Sequence, residues 1–211
     1  MVGYQFGYND YSGQQPMYWA DAPFNTIGGL TSKVRNNYSH YGYLGVDYKW
    51  TSKLTAAVRV GVQYTDYTDA PPGTSNETNP YADVSLTYLY LPESSVQFGL
   101  RHARLATDVV SPTATSVTVD QEATTVYAMV NHRITPRLTG NLIGQYQMGT
   151  FNDGSANNKE DDIYMFGAYL DFSLNKNWGL EAGYNYDKLE SDLGFRSYSR
   201  NRVFIGVRAT Y

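Results

Sequence analysis

The chain has 211 residues, 21 tyrosines, no cysteine and a formal net charge of −4. Without cysteine there is neither a disulfide scaffold nor thiol chemistry, and the acidic balance argues against nucleic acid as a partner. No segment offers the roughly 20 consecutive apolar residues of a membrane-spanning helix. The start, Met1-Val2-Gly3-Tyr4, lacks the basic head and apolar core of a secretory signal, so an exported protein is expected here either in its mature form or as an excised piece with an added methionine.

Taken in order, Val2, Tyr4, Phe6 and Tyr8 alternate with smaller or polar residues and predict a short first strand. Residues 10–35, with Gly13, Pro16, Pro23 and Gly28-Gly29, read as a long loop with room for some structure of its own. Leu44, Val46, Tyr48 and Trp50 share one face of the next strand; after a tight turn, Leu54, Ala56, Val58, Val60, Val62 and Tyr64 share one face of another. A loop over 68–80 leads to Ala82, Val84, Leu86, Tyr88 and Tyr90, and a short turn at Pro92-Glu93-Ser94 to Val96, Phe98 and Leu100. Alternation blurs after His102, where a bulge is expected. Beyond a loop over 107–121, Val126, Ala128 and Val130 compete with Tyr127 and Met129 for the apolar face. Leu138 to Met148, Tyr164 to Leu174 and Trp178 to Tyr186 give three more strands, with a polar, acidic loop over 152–162 and a loop over about 189–199. Val203, Ile205, Val207, Ala209 and Tyr211 mark the last.

Ten strands result, and short turns alternate with long loops. Three short turns share one pattern: Trp50-Thr51-Ser52-Lys53-Leu54, Ile134-Thr135-Pro136-Arg137-Leu138 and Leu174-Asn175-Lys176-Asn177-Trp178. Lys49, Lys53, Arg133, Arg137 and Lys176 gather at this end, whereas the long loops carry Asp66, Asp69, Glu77, Asp108, Asp153, Glu160, Asp161, Asp162, Glu190 and Asp192. A soluble sandwich also alternates. Strands of about 10 to 14 residues, however, fit a tilted bilayer crossing. The apolar face also begins and ends in aromatic residues. Tyr48, Trp50, Tyr88, Tyr90, Phe172, Trp178 and Tyr211 lie near the short turns; Tyr64, Tyr146, Tyr164, Tyr184 and Tyr186 lie near the long loops. Such girdles suit the two lipid–water boundaries. The expectation is an all-β, antiparallel transmembrane β-barrel of about ten strands and one domain over 1–211. It has periplasmic short turns and extracellular long loops, and closes because no strand edge stays unpaired in lipid.

The stretch from Tyr41 to Leu54, followed by the strand from Val58 to Tyr67, resembles the repeated hairpin of bacterial outer-membrane β-barrels, most closely the putative β-barrel porin family. The ending Arg202 to Tyr211 is similar to the C-terminal signal read by the barrel assembly machinery, with Val203, Ile205, Val207, Ala209 and Tyr211 as its residues. The resemblance implies residence in the outer membrane among lipid and lipopolysaccharide. It also implies a porin or an accessory to exopolysaccharide export. Its members are often larger than this chain, which leaves open that the ten strands are part of a bigger barrel.

Asp47, Arg59, Arg101, Asp171, Glu181 and Arg208 point inward by alternation, most of them four to six residues from the short-turn end, with Arg208 beside Glu181. They make either a salt-bridged plug or a constriction that selects ions. His40, His102 and His132 fall on outward registers with no evident acid partner and no metal-ligand spacing, so no catalytic residue, metal or cofactor is expected. Asp153-Gly154-Ser155 lacks the rest of a calcium loop, and the acidic loops read as a solvated surface. The functional expectation is a non-enzymatic, porin-like channel for ions or small polar solutes. A plugged structural or adhesive barrel is the alternative, and an outer-membrane enzyme is disfavoured. Substrate and oligomeric state are not legible.

Overall fold

The computed structural model describes residues 1–13, 16–18, 26–69, 76–107, 109, 118–194 and 196–209. Twelve strands are numbered in chain order: β1 (Val2–Asn9), β2 (Pro16–Tyr18), β3 (Thr26–Thr31), β4 (Asn37–Lys49), β5 (Leu54–Tyr67), β6 (Glu77–Leu91), β7 (Ser94–Ala106), β8 (Asp120–Thr135), β9 (Leu138–Asn152), β10 (Glu160–Ser173), β11 (Trp178–Ser191) and β12 (Tyr198–Ala209). β1 and β4 to β12 form one ten-stranded antiparallel sheet in chain order. The two short strands β2 and β3 make a separate hairpin inside the segment read from sequence as the first long loop. Tyr211, Thr210 and Asp108 lie outside the described residues.

The ladders keep one face apolar across the whole sheet. A row of partners runs Tyr48, Ala56, Leu86, Phe98, Ala128, Gly144, Phe166, Tyr186, Asn201. No strand reverses its parity along that row. Val126, Ala128 and Val130 take the apolar face of β8, and Tyr127 turns to the other. The row also climbs: it starts beside a short turn at Tyr48 and ends toward the long loops at Asn201. This stagger belongs to strands tilted within a curved wall.

The apolar face is the exposed one. Val60, Val62, Phe98, Leu142 and Leu170 are exposed, whereas Ser39, Gln63, Thr65, Asn79 and Asp187 on the polar face are buried. A soluble sheet does the reverse, because burying apolar area drives its folding. Among the described residues no protein layer covers the apolar face, and lipid is a medium that suits it.

Turn chemistry explains the repeated pattern. Thr51 Oγ1 accepts the backbone N–H groups of Lys53 (3.1 Å) and Leu54 (3.0 Å). Thr135 Oγ1 accepts those of Arg137 (3.3 Å) and Leu138 (3.0 Å). Asn175 Oδ1 accepts those of Asn177 (2.9 Å) and Trp178 (3.0 Å). The first polar residue of each turn thus stands in for a backbone acceptor and restarts the strand.

At the other end the strands outrun the sequence expectation. Glu77, Asp120, Glu160, Asp161, Asp162, Leu189, Glu190, Ser191 and Tyr198, read as loop, are strand residues. Apolar alternation stops where lipid would stop, but the hydrogen-bond ladder continues beyond it. One expectation is not met: β1 and β12 lie at opposite ends of the sheet and do not pair, so the barrel is not closed. Both edges are bare, with Val2 85% and Ile205 84% exposed.

Candidate channel wall

The polar face is built from alternate residues of the same strands. Tyr43 faces Gly3, Tyr127 faces Gly99, and Tyr169 faces Gly183 on neighbouring strands. A Cβ at any of these glycines would come within 3.0 Å of a ring atom, so the absent side chain is what lets each aromatic ring lie flat along the wall.

All six inward charges expected from sequence lie on this face, in two groups. In the first, Arg59 donates to Asp47 at 3.3 Å. Asp83 stands opposite both Arg59 on β5 and Arg101 on β7. Asp83 was missed in the sequence reading, although it shares the parity of the polar face. The second group is a chain of contacts. Asn131 donates to Asn141 (2.7 Å), Asn141 donates to Asp171 (3.2 Å), and Arg208 sits 3.9 Å from Asp171. Arg208 was expected beside Glu181. In the ladder it faces Gly179, and Glu181 faces Gly206 and Asp171. Each long side chain leans over a glycine, which turns Arg208 toward Asp171 instead. The six charges therefore form no single ring.

A third group was not foreseen. The Arg104 guanidinium is buried and lies 2.5 Å from Asp120 and 2.8 Å from Glu77, and donates to Asn79 at 2.9 Å. Asp120 also accepts from Asn152 at 3.2 Å. By alternation Arg104 belongs to the outward register of His102. Pro80 changes that. The β6–β7 ladder ends at Ala82 opposite His102, and two places further Pro80 falls opposite Arg104 with no N–H to give. The strands part there, and Arg104 swings onto the polar face. The blurred alternation after His102 was the available signal. Nearby, Phe151, Val109 and Ala156 pack with Leu193, and Arg196 pairs with Asp161 at 2.8 Å. The loop half of the wall is packed with protein, whereas Asp47, Arg59, Asp171 and Arg208 in the short-turn half stay partly open.

On the apolar face, Tyr48, Trp50, Tyr88, Phe172 and Trp178 are exposed near the short turns, and Tyr64, Tyr164 and Tyr184 toward the loops. Tyr90 stacks on His132 with 5.8 Å between ring centroids, and Tyr146 stacks on Tyr164 at 4.9 Å. Tyr186 joins that face opposite Phe166. Val203, Ile205, Val207 and Ala209 are outward on β12. The histidines are also outward, but His102 does have an acid partner: its Nε2 lies 2.8 Å from Glu122, and its Nδ1 2.8 Å from the Thr124 hydroxyl. His40 and His132 contact the hydroxyls of Tyr4 and Tyr90. Among the described residues no cluster of His, Asp and Glu could hold a metal.

No curated protein matches the chain. Residues 118–211, which hold β8 to β12, match the family model described as putative beta-barrel porin 2, a match that points to porin-like function in the outer membrane.

Proposed function

We propose that the protein is a porin-like channel of the bacterial outer membrane, passing ions or small polar solutes by passive diffusion. The observation that carries the reading is the inverted sheet: apolar side chains exposed on one face of all ten strands, and the other face polar, with its buried members Ser39, Gln63, Thr65, Asn79 and Asp187. The half-exposed pairs Asp47–Arg59 and Asp171–Arg208 line a wet vestibule at the short-turn end. The packed loop half around Arg104 forms the narrow part. The inward charges then set selectivity, as rings of charge do in ion pathways.

Closure is part of the proposal. Followed across the sheet, the row that starts at Val2 would reach Ser197, just above β12. Setting Val2 against Ala209 advances the register by about 12 residues around ten strands, which corresponds to a tilt of about 40° for strands about 4.8 Å apart. That lies within the range of outer-membrane barrels. The same register puts Tyr4, Phe6 and Tyr8 beside Val207, Ile205 and Val203 on the lipid side. On the inner side, Gly3 and Gly7 fall opposite the long side chains of Arg208 and Phe204.

A non-enzymatic role is supported by the surroundings of His102. It sits in the ladders of both β6 and β8, where backbone N–H groups are committed to strand pairing rather than aimed at a reacting carbonyl. A link to exopolysaccharide export belongs to the same proposal as a choice of solute. The buried Arg104 group favours one second reading, a barrel plugged at its loop end whose loops serve as a binding surface. Planar-bilayer recording of refolded protein separates the two. Discrete conductance steps are expected, and well-folded protein that stays silent would overturn the channel.

A further inference from the structure

Arginines on the polar face are matched with acids in different ratios. Arg59 with Asp47, Arg196 with Asp161 and Arg208 with Asp171 are one to one, Arg101 has Asp83 opposite it in the ladder, and Arg104 has two acids. β12 breaks the pattern. Its Arg200 and Arg202 both bond a single oxygen of Asp187 on β11: Arg200 through Nε (3.1 Å) and Nη2 (2.9 Å), and Arg202 through Nη2 (3.0 Å). Asp187 is buried at the wall, whereas the two arginine side chains, on the edge strand β12 that closure would pair with β1, are 52% and 53% exposed. Among the described residues no second carboxylate reaches either guanidinium.

One carboxylate cancels one of two cations, so the group keeps a net positive charge. A single arginine would have sufficed to satisfy Asp187. The second brings like-charge repulsion that the fold does not need. Its effect is to leave two planar forks side by side: the residues alternate on one strand, with Cα atoms about 6.6 Å apart along it, and the forks converge on one oxygen while their remaining donors stay unused by any carboxylate. Paired forks of this kind bind tetrahedral or planar oxyanions through bidentate, charge-assisted hydrogen bonds. Asn185, opposite Arg202 in the ladder, adds an amide at the same place.

We propose that Arg200 and Arg202, aligned by Asp187, form an oxyanion site on the inner wall that takes the phosphate group of a passing solute. The site rests on the channel reading for its access route, but its occupancy can be measured without any current. Refolded protein in detergent is heated in inorganic phosphate or in chloride at equal ionic strength. Phosphate raises the unfolding midpoint of the wild type. Arg200→Gln with Arg202→Gln weakens phosphate affinity about tenfold or more, the loss expected for charge-assisted hydrogen bonds. Asp187→Asn removes the cancelling charge and strengthens phosphate binding. Heat-modifiable migration in gels verifies that each variant is folded. No phosphate shift in the wild type, an unchanged shift in the double arginine variant, or a shift abolished in Asp187→Asn would each overturn the site. In bilayers, phosphate should reduce the chloride current saturably in the wild type and not in the arginine variant; a current equally reduced in both counts against the site. Protein that is silent in bilayers overturns the channel alone, and the midpoint measurement still decides the site.

Discussion

The side-chain amide of Gln63 completes the backbone hydrogen bonding of Arg104: it donates to the Arg104 carbonyl at 3.0 Å and accepts from the Arg104 N–H at 2.9 Å. A β5 side chain thereby does for β7 what Pro80 of the intervening strand does not. Replacing Gln63 by Leu leaves both backbone groups buried and unpaired. The expected cost is about 1–3 kcal/mol for each unpaired group. Urea unfolding in detergent or liposomes would measure it, and a variant as stable as the wild type would exclude the bridging role.

Arg104 should matter through the charges it leaves behind. Arg104→Met strands Asp120, which is itself buried, and should cost about 3–5 kcal/mol, the penalty for an uncompensated buried charge. Arg104→Met combined with Asp120→Asn should recover part of that loss. Strict additivity of the two single changes, read from a double-mutant cycle, would mean that they do not act as a pair.

The proposed closure is open to cross-linking, because the chain has no cysteine of its own. Phe6→Cys with Ile205→Cys should form an intramolecular disulfide in lipid, detected as faster migration of unfolded protein in non-reducing gels. Phe6→Cys with Val203→Cys or with Val207→Cys, two residues out of register, should react poorly. Equal yields in all three pairs, or intermolecular products only, would contradict the register.

Two glycines test the wall in opposite ways. A Cβ at Gly61 would sit 2.0 Å from the Gly42 carbonyl oxygen and 2.6 Å from Tyr43 Cα, both backbone atoms, so Gly61→Ala should fail to give the heat-modifiable folded form. A Cβ at Gly144 meets nothing within 4 Å, and Gly144→Ala should fold normally.

The proposed aromatic girdle can be tested by fluorescence. With Trp19→Phe, only Trp50 and Trp178 remain, and both are exposed on the apolar face beside short turns. Lipids brominated near the headgroup should quench them more than lipids brominated near the chain ends. Quenching mainly by the deep bromines, or by neither, would place them away from the boundary.

The fold was legible in the sequence to the extent that lipid imposes it. Alternation from Leu54 to Tyr64, or from Leu138 to Met148, marks one face because that face meets one medium along its whole length. Outside that medium the rule loses its cause. Glu160 to Asp162 and Leu189 to Ser191 are strand residues whose side chains give no period-two signal. Arg104 was missed because parity presumes an unbroken ladder, and Pro80 breaks it. Arg200 and Arg202 could have been found by counting back in twos from Arg208, but their sharing of Asp187 depends on a β11–β12 register that only the paired strands reveal.

The parity that the strands share along the row from Tyr48 to Asn201 bears on how such a protein changes size. Each strand of the ten-stranded sheet pairs its backbone only with the strands next to it in the order β1, β4 to β12, and every short turn restarts the next strand with its greasy residues on the same side. A hairpin is thus a self-contained module. Duplicating or deleting one would preserve the inside–outside assignment of all the others and leave both seam strands running in opposite directions. Diameter can then vary among descendants by whole hairpins, while the arginine pair of β12 and its aspartate, housed within a single hairpin, travel together as one heritable unit.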